Sequence, residues 1–513
     1  MFDTFMNVVH AFPGLCSVQP LIAVVLGVLI GMIGGILPGV GSVLTLVLML
    51  PFAFALSPAA GLILLAALQK GTNSGGSFSS ILLGTPGTPA AAAVVEDGSY
   101  LAKTGKAGKA MQLGLFSSII GDTASDLVLI FVAAPLAAIA LMFGPPEVFS
   151  LMIFAMTIIG VVSSKQMHKG LIMAALGLMI ACIGMDPVRG RERYTFGSLD
   201  LLSGVPLIPF LIGLYAISEL LMQMEAYYYV KYSISSIKFS KEDETSKTSK
   251  SDNRMTWTDL KHCIKAIAIG SGTGSFIGAL PGIGSATGAF VSQGFARKFS
   301  KEPDKFGKGS LEAIAAAESA NSAVAGANLI PALSLGIPGD PPAVVVLGAL
   351  MAFDLQPGPT LFQNAPDVLY LLFAGMMVAH VVNIPVGLLI SKYARYMLKI
   401  PVWMLYPTIF LLAVTGSYAD SNSIFGVKVM LIIGICAYFL RRTGFPLSPI
   451  AIAFILGSKI ETPLRQTLLI TRDDFSVFFT KPISLLFLIC TAIMITIIWM
   501  SEGKTRIFSR KRK

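Results

Sequence analysis

Two Pro-Gly interruptions set deep in apolar sequence constrain this chain more than any other feature. One follows Gly71–Ile81 and reads Gly84-Thr85-Pro86-Gly87-Thr88-Pro89; the other reads Gly336-Ile337-Pro338-Gly339-Asp340-Pro341. Around them, apolar runs near membrane-spanning length recur at Leu21–Leu37, Met111–Phe143, Phe149–Val162, Gly170–Gly184, Val205–Met222, Leu369–Ile390, Trp403–Gly416, Val427–Leu440 and Ile483–Met500. Only 13% of the residues are charged, against roughly 25% in a soluble domain. The chain therefore reads as an all-α polytopic membrane protein with roughly 12–15 membrane segments, at about 20 residues for each spanning helix. At membrane depth a Pro-Gly break frees N–H and C=O groups that hydrocarbon cannot satisfy. It is tolerated only where it is buried in protein or lines a wet cavity.

The two breaks are copies. Leu83, Gly84, Pro86, Gly87, Pro89 and Ala91 recur 252 residues later as Leu335, Gly336, Pro338, Gly339, Pro341 and Ala343. A second motif, Pro38-Gly39-Val40-Gly41-Ser42, returns 243 residues later as Pro281-Gly282-Ile283-Gly284-Ser285. Two motifs recurring in the same order at nearly the same offset mark an internal duplication. Loop charge predicts that the copies are inverted. The first PGxG motif is followed by Val43–Gly61 without Lys or Arg, its copy by Arg297, Lys298, Lys301, Lys305 and Lys308. After the breaks the asymmetry reverses, with Lys103, Lys106 and Lys109 in the first half and no basic residue from Asp340 to Ser391 in the second. Equivalent loops then lie on opposite sides of the membrane. This gives an N-terminal half over 1–230, a polar cytoplasmic linker over 231–261, a C-terminal half over 262–502 and a basic cytoplasmic tail over 503–513. The N-terminus is expected outside; Arg189, Arg191 and Arg193 also fall outside, against the rule.

Opposed broken helices point N-terminal dipole ends at one central place, where a carboxylate binds well. The expected solute-binding residues are Asn73, Ser77, Ser79, Ser80, Thr85, Gly87 and Thr88 in the first half, with Ser319, Asn321, Ser322, Gly339 and Asp340 in the second. Intramembrane acids are costly and mark function, so Glu318, Asp340 and Asn321 are the candidates for coupling to Na+ or H+. Pro38, Gly39, Gly41, Pro281, Gly282 and Gly284 form the hairpin tips, which either bind or only pack. Asp122, Asp126 and Glu219 are expected to hydrogen-bond between helices, and His380 to be a packed, satisfied histidine.

Other classes fit poorly. The net charge of +10 lies in short loops and the tail Lys504–Lys513, a positive-inside and lipid-facing pattern that implies no nucleic acid. Cys16, Cys182, Cys263, Cys436 and Cys490 have no metal or redox spacing. Lys109 of the Thr104–Lys109 stretch is followed by Ala110, not by the Ser or Thr of a phosphate loop. No enzyme activity and no cofactor beyond a coupling ion is expected. An ion channel or passive pore on the same scaffold is the alternative reading, and a membrane scaffold whose motifs only pack is a third.

The stretches LPGVGSVLTLVLMLPFAFALSPAAGLILLAA, GGSFSSILLGTPGTPAAAAVVEDGSYLAKTGKAGKA, FGKGSLEAIAAAESANSAVAGANLIPALSLGIPGDPPAVVVLGAL, LQPGPTLF and RRTGFPLSPIAIAFILG together resemble the large membrane subunit of the tripartite tricarboxylate transporters, the TctA family. The resemblance runs from about Leu21 to Ser501. It implies a bacterial inner-membrane secondary transporter for tricarboxylates or other organic acids, driven by an ion gradient. It further implies a small membrane subunit and a periplasmic solute-binding protein as partners. Members commonly carry an aromatic residue where this chain has Ser74, Asn at Gly84, a second Asn at Ser322 and a small hydroxyl residue at Asp340.

Overall fold

The computed structural model describes residues 2–162, 167–186, 189–233, 253–398 and 402–510. The middle of the expected linker, 234–252, and the last three residues of the tail lie outside the described residues. The first half comprises α1 (Phe2–Leu15), α2 (Val18–Ile36), α3 (Gly41–Phe54), α4 (Pro58–Leu83), a 3-10 turn at Ala90–Val94, α5 (Val95–Lys103), α6 (Ala107–Ala140), α7 (Pro145–Val162) and α8 (Met167–Ala181). It closes with α9 (Leu207–Leu211), which passes through a π-helical turn (Ile212–Ile217) into α10 (Ser218–Ser233). The second half comprises α11 (Trp257–Gly278), α12 (Gly284–Phe299), α13 (Leu311–Ala327), α14 (Leu329–Leu335), α15 (Pro341–Ala352), α16 (Leu361–Asn364) and α17 (Pro366–Met397). It ends with α18 (Val402–Ser421), α19 (Ile424–Arg442), α20 (Ser448–Ile470), α21 (Val477–Thr480) and α22 (Pro482–Arg510).

This is the expected all-α polytopic architecture. The one departure among the described residues is a two-residue antiparallel ladder, Gly184–Met185 with Glu192–Arg193. Among the described residues, five helices are long and apolar enough to cross a membrane: Val18–Ile36, Ala107–Ala140, Leu207–Tyr227, Pro366–Met397 and Ile424–Arg442. Shorter apolar helices, α3 and α15 among them, accompany these, and α3 packs against α4 and α15.

The duplication reappears as repeated packing. α2 lies so close along α4 that a Cβ on Gly27, Gly31 or Gly35 would strike the carbonyl oxygens of Leu64, Leu68 or Thr72 at 2.6, 2.1 and 2.3 Å. In the second half a Cβ on Gly270, Gly274 or Gly278 would lie 2.6, 2.5 and 2.6 Å from the carbonyl oxygens of Ala316, Ala320 and Val324. These are the same positions shifted by 243 on one helix and 252 on the other. Glycine stripes permit this approach because without hydrophobic driving force in lipid, helices associate through close backbone packing.

The halves are interleaved. α6 packs against α11 and α13 of the other half, while α17 packs back against α2 and α4. A clamp ties the halves together near the basic loops. Asp97 on α5 accepts the backbone N–H groups of Gly307, Gly309 and Ser310 at 2.9, 2.9 and 2.7 Å, just where Ser310 caps α13. Of the basic residues that broke the charge rule, Arg193 is neutralised locally. It grips Glu461 with two bonds of 2.6 and 3.1 Å, and Arg465 bridges Glu461 and Asp186 at 2.7 and 2.8 Å.

Candidate functional site

Each break begins where its helix ends on a left-handed glycine, Gly84 at φ 67° and Gly336 at φ 71°, a conformation that costs a side chain but not glycine. Each then folds against the PGxG tip of its own half. In the first half the Gly87 N–H donates to the Gly76 carbonyl at 3.4 Å, and a Cβ on Gly87 would lie 2.1 Å from the Gly35 carbonyl oxygen. In the second half the tip bonds the break directly, the Gly282 N–H donating to the Gly339 carbonyl at 2.7 Å. Thr88 and Asp340, equivalent at offset 252, both cap the turn that follows. Thr88 Oγ1 accepts from Ala91 N at 3.4 Å and Asp340 Oδ1 from Ala343 N at 3.0 Å.

The first break opens into a cleft of about 530 Å³. Its walls are Gly39–Leu44 from the tip and the first turn of α3, Pro86–Pro89 from the break, and Tyr215, Glu219, Arg441 and Phe445–Ser448 from the scaffold. No side chain caps α3, so its first N–H groups and its positive dipole end face the cleft. Arg441 adds a guanidinium whose charge is offset by its ion pair with Glu219, and Tyr215 is presented by the π-helical turn, a deformation common at functional sites. The second break is enclosed: Gly336–Asp340 are all buried. Lys459 on α20 lies against Gly336 and donates to the Pro357 carbonyl at 2.6 Å.

The hydroxyls expected to bind solute are mostly engaged. Ser77 donates to the Ser74 carbonyl at 2.8 Å, Ser79 and Ser80 to that of Gly76 at 3.0 and 3.2 Å, and Ser319 to that of Ala315 at 2.7 Å. Thr85 is exposed and Thr88 lines the cleft. Of the tip residues, Gly39 and Gly41 line the cleft too, while Pro38 and Pro281 lie in the turns before α3 and α12, and Gly284 opens α12.

A second polar region runs along the junction of α4, α6, α13 and α17. Asn383 Nδ2 donates to Ser74 Oγ at 3.0 Å; Ser74 Oγ and Ser118 Oγ share a bond at 3.1 Å, and Ser118 Oγ and Ser322 Oγ one at 2.6 Å. One turn along α13 stands Glu318, wholly buried. Ser77 faces it, but neither carboxylate oxygen meets hydrogen-bond geometry. Asn321 is buried with neither end of its amide bonded, and Asn73 Nδ2 is also unmatched. Buried polar atoms without partners are rare and call for an ion, water or solute. One turn the other way, Lys70 bonds Asp122 at 3.0 Å and Asp126 at 2.6 Å, and His380 Nε2 lies 2.9 Å from Asp126. Asp122 and Asp126 thus do bond between helices. The residues expected at a single site lie in two regions, an open cleft and a buried seam.

Sequence reasoning missed Lys70, Tyr215, Arg441 and Lys459. Lys70 carried a usable signal, an ammonium inside an apolar helix. Arg441 did not, because a cation at the end of an apolar run reads as an ordinary loop charge.

A multi-pass helical membrane protein with one discontinuous helix in each duplicated half has the make-up of a transporter subunit. The chain belongs to the tripartite tricarboxylate transporter TctA family, which matches residues 21–452. That family supplies the membrane subunit of a tripartite system containing other subunits and a binding protein. The chain is 31% identical over 489 residues, 94% of each chain, to an uncharacterized 52.8 kDa protein in the TAR-I ttuC' 3' region of Agrobacterium vitis. It is 36% identical over 212 residues, 41% of this chain and 87% of the relative, to an uncharacterized protein in the TAR-II ttuC' 3' region of the same organism. No solved structure matches the chain.

Proposed function

We propose that this subunit imports an organic-acid solute, a tricarboxylate or a related carboxylate, across the bacterial inner membrane. The solute is delivered by a periplasmic binding protein, and a small membrane subunit completes the assembly. An ion gradient drives the cycle through alternating access around two inverted halves, with the N-terminus outside and the C-terminus in the cytoplasm. The cleft at the first break carries this reading: an uncapped helix N-terminus and Arg441 converge on a Pro-Gly break, which is the chemistry a carboxylate requires. In this reading Gly87 and Thr88 contact the solute, while Glu318 and Asn321, buried without partners, hold the coupling ion in the buried seam.

The test is uptake of labelled di- and tricarboxylates into proteoliposomes containing the chain with its two partner subunits. Saturable uptake driven by an inward sodium or proton gradient is the expected result. Current without saturable solute counterflow would replace this reading with a channel.

A further inference from the structure

The segment between α8 and α9 carries the short ladder of Gly184–Met185 with Glu192–Arg193, and ion pairs fasten it to α20. Arg193 pairs with Glu461, and Asp186 with Arg465. α20 begins at the first cleft, which Ser448 lines. Arg465 lies 17 positions further on (465 minus 448), about 26 Å along the helix at 1.5 Å per residue. The ladder therefore stands at the end of α20 remote from that cleft. Lys459 of the same helix is the residue that lies against Gly336 of the second break.

This anchored segment displays apolar side chains that nothing in the chain covers. Phe196 is 89% exposed, Leu199 83% and Tyr194 65%. On a spanning helix such exposure would mean lipid, but these three share a stretch with Arg191, Glu192 and Asp200, all exposed as well, and hydrocarbon strongly disfavours such charges. Tyr194 and Phe196 also hold left-handed backbone, φ 53° and 50°, which is costly for bulky residues and collects at functional sites. Neither ring gains burial in return. An apolar centre with a charged rim, on a fixed backbone, has the make-up of a protein-binding surface, where aromatic residues and Arg concentrate the binding energy. Arg193 is paired with Glu461 and Glu192 is engaged by Thr195 at 3.0 Å. Arg189 and Arg191 are exposed and have no such pairing among the described residues, so a complementary surface offers carboxylates to them.

We propose that Arg189 and residues 191–199 form the docking surface for the solute-binding protein of the tripartite system. This rests on the transport reading given above, in which the remote end of α20 is the outer face. A binding protein docked there stands beside the helix that touches the second break, the break through which solute enters from outside.

The test uses the full chain with its small membrane subunit in proteoliposomes and the purified binding protein of the same system. A photo-crosslinking residue in place of Phe196 is expected to capture the binding protein, and the same residue in place of Trp257, which is 67% exposed at the start of α11, is not. Capture of only the small subunit or lipid at the Phe196 position, or equal capture of the binding protein at both positions, overturns the proposal. Phe196→Ser is expected to raise the binding-protein concentration for half-maximal uptake about 10-fold or more, as loss of an interface anchor does. Its melting transition in detergent should not move, since the ring is exposed. Arg191→Glu should raise the same concentration less. An unchanged concentration in both variants overturns the surface. Crosslinking to the binding protein without carboxylate uptake by the unaltered assembly would sink the carboxylate reading and leave the docking surface standing.

Discussion

The two breaks have nearly the same sequence and opposite surroundings. At the first, Thr85, Pro86 and Pro89 are exposed and the chain lines a cleft with Arg441. At the second, every residue from Gly336 to Asp340 is buried, and the break is bonded to its own PGxG tip. Its helix N-terminus is filled by the protein's own carboxylate, Asp340, where the first half has the neutral Thr88. A Pro-Gly motif thus fixes where a helix stops but not whether the gap is wet. The packing of scaffold helices decides that, and one open break with one closed is what the proposed alternation requires of a single conformation.

The comparison can be broken at several points. Gly87→Val should have the largest effect. Its side chain would meet the Gly35 carbonyl and Ser79, abolishing carboxylate uptake and costing on the order of 1–3 kcal/mol of stability, as overpacking does. Normal uptake by this variant, inserted in the membrane, would remove the first break from the transport path. Next comes accessibility. Thr85→Cys and Ile337→Cys occupy equivalent positions, one exposed and one buried. If Ile337→Cys is reached only from a minor conformation, it should react with a polar maleimide roughly 10- to 1000-fold more slowly. Equal rates would erase the difference between the breaks. Arg441→Gln should weaken solute binding by about 10- to 100-fold, the value of one charge-assisted hydrogen bond, with Arg441→Lys recovering part of it. Unchanged half-saturation in transport assays would detach Arg441 from the solute. The smallest effect is expected at the clamp between the halves. Asp97→Ala strands three N–H groups and should lower stability by about 1–3 kcal/mol, read as an earlier melting transition in detergent. An unshifted transition would mean that the clamp does not hold the halves together.

The sequence by itself determined the membrane class, the helical architecture, the duplication and the positions at which helices break. These follow from local causes: apolar length, Pro without an N–H, Gly free to take positive φ, and motifs repeated at a fixed offset. Even the interhelical glycine contacts were implicit, since Gly27, Gly31 and Gly35 repeat as Gly270, Gly274 and Gly278. The tertiary structure alone decided which polar residues meet. Lys70 finds Asp126 56 residues away and His380 finds it 254 residues away. Arg441 finds Glu219 222 residues away. Nor could sequence tell that Ser77, Ser79 and Ser80 donate into their own helix while Glu318 and Asn321 stay unpartnered. A hydroxyl can satisfy itself within one turn of helix, but a carboxylate or an amide must wait for what another helix brings, and nothing in its own neighbourhood says what that is.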